Sequence, residues 1–213
     1  SDEVVIVETS VPIDPSALIL TLGGTIKIGS LLPTNMTTEQ WVRDRKTDGP
    51  PIASLARGGK IVVGVSVYKA AVGVANAKCE ETLRTTRDEI LVCKRALKEP
   101  AKMSQSDKSG GPATMATPLG GEEKFVKTLR LVTGRDRALP SVALVTEHIL
   151  ERGGELVALV LNNGETQFGA TNAVQAFHEY RLRDMGRPGR DLLRGMLPPK
   201  VAKMMVNLAC PAR

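Results

Sequence analysis

The sequence predicts an α+β protein: a β-leaning front half built around a Gly-Gly hairpin, and a mainly helical back half. Three observations carry that expectation. In "LILTLGGTIKIGS" an alternating apolar run is interrupted at Gly23-Gly24 and then resumes. The valine-rich run "GGKIVVGVSVYKAAVGVA" supplies the β-branched side chains that fit a pleated surface. Beyond residue 123, apolar residues recur at helical intervals between glycine and proline stops.

Taken in order, "EVVIVE" reads as a first strand. Leu18, Leu20 and Leu22 alternate up to Gly23-Gly24, and Thr25 to Ile28 continue beyond it. Two glycines at that point suit the positive φ of a two-residue hairpin loop. "TNMTTEQWVRDRK" reads as a short helix capped by Thr37, with Gln40 three residues on as the partner of a capping box, and Gly49-Pro50-Pro51 ends it. The valine-rich run is one long strand or two short ones, with Gly64 and Gly73 as sites for bulges. "CEETLRTTRDEILVCKRALK" has the charge density of a helix, but Thr82, Thr85, Thr86 and "ILVC" favour two successive strands, which is the reading adopted.

Glu99 to Glu123 holds four glycines and three prolines with almost no large apolar residue, so nothing in it offsets the entropy of ordering it. It is expected to be a flexible linker between a β-rich region, 1–98, and a helical region, 124–213. In the latter, Pro140 and Ser141 start a helix with Val142, Val145, Ile149 and Leu150 on one face, and Gly153-Gly154 stops it. "ELVALVLNNGE" is either its continuation or one strand. "ETQFGATNAVQAFHEYRLRDMG" spaces Phe168, Ala173, Val174 and Phe177 as a helix would. Past Pro198-Pro199, Val201, Met204, Met205 and Leu208 do the same, and Met196, Met204 and Met205 serve either a core or a contact surface.

Composition bounds the function. The net charge is +6, spread unevenly: residues 1–50 carry 4 basic and 7 acidic groups, and the excess of cations lies beyond them. That layout points to an anionic partner. No apolar run reaches the roughly 18 residues of a membrane span, and the acidic start lacks a secretory n-region. Three cysteines (Cys79, Cys93 and Cys210) are an odd number at unrelated spacings, which argues for a reducing compartment rather than a disulfide framework. His148 and His178 stand outside any metal-ligand spacing, and neither a P-loop nor a dinucleotide loop is present. An aromatic share of 3% gives little for base stacking, so recognition would go through phosphates.

The richest basic stretch is "RDMGRPGRDLLRG", 183–195. Gly186 fits a helix C′ position and Pro188 the first turn of the next helix, so the stretch is first a corner between helices. Arg181, Arg183, Arg187, Arg190, Arg194, Lys200 and Lys203 are the residues expected to hold nucleic-acid backbone there, with arginine forks meeting phosphates.

"LILTLGGTIKIGS" also resembles the amino-terminal phrase of the L-asparaginases, in which a strand runs into Gly-Gly-Thr and the threonine is the nucleophile. The resemblance implies Thr25 as an attacking hydroxyl on an amide. The family's second element, Thr-Asp-Gly, has its counterpart at Thr47-Asp48-Gly49, closer to the first than the family pattern places it and beside two prolines.

These readings converge on a non-enzymatic assembly protein without a cofactor. It would be of the viral coat or nucleocapsid kind, cytoplasmic or in the virion and not secreted, self-associating, and binding nucleic acid, RNA first, without sequence preference. The alternatives are a matrix-type protein on an acidic membrane surface and an amidohydrolase acting through Thr25.

Overall fold

The centre of the fold is β2 (Lys60–Lys69), whose valines face two ways. In this computed structural model, residues 4–22, 25–47, 60–70, 73–96, 128–186, 188 and 195–210 are described. The elements run α1 (Pro15–Thr21), β1 (Lys27–Leu31), α2 (Thr38–Thr47), β2, α3 (Asn76–Ala96), β3 (Thr128–Val132), α4 (Ser141–Thr146), α5 (Ile149–Arg152), β4 (Gly153–Val160), β5 (Thr166–Val174), α6 (Phe177–Met185) and α7 (Pro199–Ala209). The strands form one mixed sheet in the order β1-β5-β4-β2-β3. β2 is parallel to both β3 and β4, whereas β5 is antiparallel to β4 and to β1.

Strand polarity explains the layering. Parallel strands need crossovers: β2-α3-β3 steps one way across the sheet and β3-α4-α5-β4 steps back past β2, and right-handed connections running in opposite directions put their helices on opposite faces. On one face Ile61, Val63, Val65 and Val67 pack with Trp41 and Val42 of α2, with Cys79, Leu83 and Ile90 of α3, and with Leu156, Ala158 and Val160 of β4. On the other face Val62 packs with Leu139, Leu144 and Ile149. A strand buried on both sides reads as a continuous apolar run, which is how "KIVVGVSVYK" reads.

This sheet overturns the expected division into a β-rich front and a helical back. Among the described residues, three of the five strands lie after residue 127. No hairpin is centred on Gly23-Gly24 either. Those two glycines lie outside the described residues, the apolar run before them is helix α1, and β1 pairs with β5. The reason is local: Asp14 accepts a hydrogen bond from the Ser16 amide at 2.9 Å, and Pro15 sits in the first turn, so the chain is capped into a helix before the leucines are reached.

Of the run read as two strands, 79–98, residues 79–96 belong instead to α3 and the last two lie outside the described residues; Cys79, Leu83, Thr86 and Ile90 recur on the helix's buried face. Its threonines fit because Thr82, Thr85 and Thr86 donate to the carbonyls four residues back at 2.8 to 3.0 Å. The helix expected from Pro140 to Gly153 is broken into α4 and α5 at His148, whose φ is +51°. There Leu144 and Ile149 are buried, and Val142 and Val145 are exposed. "ELVALV" is a strand, and Phe168 to Val174 form β5 rather than a helix. A turn at Asn162–Gly164 joins the two, with Gly164 at φ +81°.

Other expectations hold. Thr37 Oγ1 accepts from the Gln40 amide at 3.2 Å and Gln40 Oε1 from the Thr37 amide at 3.1 Å, a complete capping box. The helix after Pro198 is α7. The strand expected in "EVVIVE", by contrast, does not form: its residues 4–8 have no regular structure and stand exposed from Val5 onward. The expected linker, 99–123, lies outside the described residues.

The close passage of β4 along β2 rests on Gly153. A Cβ there would fall 2.5 Å from the Val62 carbonyl oxygen, a backbone atom with nowhere to move. Gly153→Ala is expected to lower stability by about 1–3 kcal/mol, as overpacking does, read as a drop in urea midpoint at unchanged m-value. An unchanged midpoint would show that the two strands have slack.

Candidate nucleic-acid interface and a buried polar cluster

Among the described residues, a dense set of buried polar contacts gathers at one carboxylate that no sequence motif marks. Glu155, on β4, is fully buried. Its Oε1 accepts from Lys27 Nζ at 2.7 Å and from the Ser66 hydroxyl, and its Oε2 accepts from Thr171 Oγ1 at 2.5 Å. Lys27 also donates to the Leu139 carbonyl at 2.7 Å, while Ser66 Oγ accepts from the Leu139 amide at 2.8 Å. The Tyr68 ring lies under the ammonium, 5.8 Å from Nζ to its centroid.

These contacts tie β1, β2, β4, β5 and the segment before α4 to one carboxylate. Gly64 makes the approach geometrically feasible: a Cβ there would meet Leu139 Cδ1 at 2.5 Å. The arrangement satisfies charges rather than exposing them. Ser66 is as buried as Glu155 and holds both a donor and an acceptor role within the fold, and Lys27 is only 13% exposed. Burying such a pair costs desolvation that these contacts must offset, and removing one partner leaves a buried charge uncompensated. The signal for it was legible as single polar intrusions into apolar strands: Lys27 in "TIKIG", Ser66 in "VGVSVY" and Glu155 in "GGELVALV".

The expected basic surface lies at the other end of the chain. Arg181 and Arg183 are exposed on α6, and Lys200 and Lys203 are half-buried on α7, which packs beside it. Arg187, Arg190 and Arg194 lie outside the described residues. Arg183 forms an ion pair with Glu179 at 3.4 Å one helical turn away, and its guanidinium sits 5.7 Å from the Tyr180 ring centroid. Both groups of that pair remain more than half exposed, so it competes weakly with a phosphate. Lys203 points inward and donates to the Leu20 carbonyl at the end of α1, where Asn207 also donates to Thr21 at 2.9 Å. Arg183 and Lys203 both line a groove of about 280 Å³ between α1 and the carboxyl-terminal helices, with Tyr180 and Gln175 at its wall.

The remaining candidates separate in space. The strand that the asparaginase resemblance implies before Gly-Gly-Thr is helix α1, and Thr25 is half-buried with no side-chain hydrogen bond to a described residue. His148 meets Glu151 at 3.1 Å on the surface, and His178 lies against Phe177 at 4.2 Å between ring centroids. Among the described residues no group of three or more His, Cys, Asp or Glu is placed to hold a metal ion. No described helix is long and apolar enough to cross a membrane.

The three cysteines are free and differ in access: Cys79 is buried, Cys93 half-buried and Cys210 exposed. Burial, with the Glu39 and Glu89 carboxylates adding to it, pushes the Cys93 thiol above its ordinary range. Less thiolate means slower alkylation. Iodoacetamide at neutral pH is therefore expected to label Cys210 in the folded protein and Cys79 and Cys93 only after unfolding, as read by peptide mass. Early labelling of Cys93 would show that α3 opens locally. Compared with protein-family models, curated proteins and solved structures, the chain matches none.

Proposed function

We propose that this is a non-catalytic assembly protein of the coat or nucleocapsid kind, which holds nucleic-acid backbone along its carboxyl-terminal helices. One observation carries the reading: Arg181 and Arg183 stand exposed on α6 beside α7, a helix with two lysines and no acid. The chain's net charge of +6 supports it. Phosphate contacts of this kind position a strand without reading its bases, and the scarcity of aromatic side chains fits that mode. The buried cluster fits the non-catalytic part, because its hydroxyls and carboxylate are engaged with one another rather than turned to a cleft.

The test is a salt titration of binding to two single-stranded RNAs of unrelated sequence. Affinity should fall steeply with salt and alike for both RNAs. Arg181→Ala combined with Arg183→Ala should weaken both equally and flatten the slope by roughly 0.7 for each phosphate no longer neutralised. Binding indifferent to salt, or a double variant that binds as wild type, would remove the assignment.

A further inference from the structure

The chain carries a strand-former with no strand beside it. Val4-Val5-Ile6-Val7 is a run of four β-branched residues, the side chains that suit a pleated surface. In the fold it has no regular structure; Val5 is 84% exposed and Val7 72%. No backbone hydrogen bond links residues 4–13 to any other described residue. In a strand, Val5 and Val7 would fall on one side and Val4 and Ile6 on the other, so the run is apolar on both faces. That pattern belongs to a strand covered on both faces. At the far end of the sheet an edge stands open. Among the described residues β3 pairs with β2 alone, in a regular ladder. Its side chains reach both layers: Leu129 joins the cluster under α3, and Val132 packs against Leu139, Leu144 and Ile149. An edge of this kind presents unpaired N–H and C=O groups to an incoming chain.

We propose that residues 4–7 add as a strand to the outer edge of β3 in a second copy. Charge selects the edge. Residues 1–14 carry four acids and no basic side chain. β3 with five residues to either side, 123–137, carries five bases and two acids. Arg130 is exposed, and its ion pair with Glu147 at 2.9 Å lies at the surface, so the guanidinium is open to a further acid. The same window around β1, the other edge, is 22–36 and carries Lys27 alone, which Glu155 already holds. β1 is also broken by the bulge between Ile28 and Gly29. Reach selects the copy. α1 packs on β5 and β1, so a strand beyond β3 of the same molecule lies four to five spacings away, about 19–24 Å. Residues 8–14 span at most about 25 Å when straight, and the path must also climb over the helices that cover the sheet. Between copies no such limit applies. Donor segment and acceptor edge are different surfaces, so reciprocal exchange closes a dimer and exchange passed onward builds a ring or filament.

The pairing deepens the assembly reading, on which it rests, by naming the parts through which copies meet. It is tested on the full chain by sedimentation equilibrium, after nuclease treatment so that no nucleic acid bridges the copies. The wild type is expected to associate. Ile6→Pro removes an amide donor and cannot continue a ladder. It should weaken association at least tenfold. Because residues 4–8 have no regular structure within one copy, its urea midpoint should equal that of wild type at a concentration where both are monomeric. A monomeric wild type would overturn the pairing and the self-association together. An oligomer that Ile6→Pro leaves intact would overturn the pairing alone.

Hydrogen exchange read by mass spectrometry separates other occupants. Amides of 4–7 and of 128–132 should slow together as wild-type concentration rises, and should not do so in Ile6→Pro. Slowing at 128–132 that is independent of concentration, or that persists in Ile6→Pro, would put a segment of the same copy on β3 and overturn the pairing. Slowing at 27–31 instead would make β1 the acceptor and overturn it as well. A synthetic peptide of residues 2–9 in excess should dissociate the assembly; an assembly indifferent to it would count against the pairing. Association is read by mass, so a failure of RNA binding would bear on the polyanion assignment and not on the strand pairing.

Discussion

One carboxylate organises this molecule. Glu155 sits in the sheet with no exposure to water, and a charge in that position is tolerated only where donors surround it. Lys27, Ser66 and Thr171 supply them, each from a different strand. Apolar packing on the two sheet faces is permissive: valines and leucines would tolerate several small displacements. The polar cluster is not, because moving any one strand by a residue would leave a buried donor or acceptor without a partner. The cluster thus fixes register where the apolar pattern alone would not, above all for β1, a five-residue edge strand with a bulge between Ile28 and Gly29.

That constraint reaches the surface by a short route. Anchoring Leu139 through both its amide and its carbonyl sets the start of α4, and with α5 this helix covers one face of the sheet. Anchoring β1 holds α1, which packs on β5 and β1. The end of α1 then receives Lys203 and Asn207 of α7. The carboxyl-terminal helices are attached by these polar contacts and by α6 rather than by burial in the core, since neither helix contributes a buried residue. They form a lightly held, partly apolar and basic appendage on the sheet.

Much of the fold was legible where a local signal acts alone. The Thr37–Gln40 capping box, the apolar run of β2 and the helical spacing after Pro198 all describe what the structure contains. Local signals mislead where they compete. Leu18 to Leu22 alternate like a strand, yet Asp14 and Pro15 had already committed the chain to a helix. α3 carries threonines that favour strands, and tertiary contact against β2 with back-bonding hydroxyls overrode them. In β5, Phe168, Ala173 and Val174 mimic helical spacing, whereas the Asn162-Asn163-Gly164 turn was the stronger sign of a hairpin.

The site was less legible for a physical reason: its parts are distant in sequence and meaningful only together. Lys27, Ser66, Glu155 and Thr171 look like isolated polar residues until the sheet order brings β1, β2, β4 and β5 side by side. Lys203 was counted by charge alone, and charge alone does not tell which way a helix turns. Together Lys27, Ser66, Glu155 and Thr171 form a buried polar lock across four strands. A double-mutant cycle in urea unfolding, using Lys27→Met, Glu155→Leu and the pair, tests that most directly. A coupling on the order of 1–3 kcal/mol, with the pair far less damaging than the sum of the singles, is the expected result. Single effects that add to within roughly 0.5 kcal/mol would contradict it, and would mean that the sheet keeps its register without the buried charge.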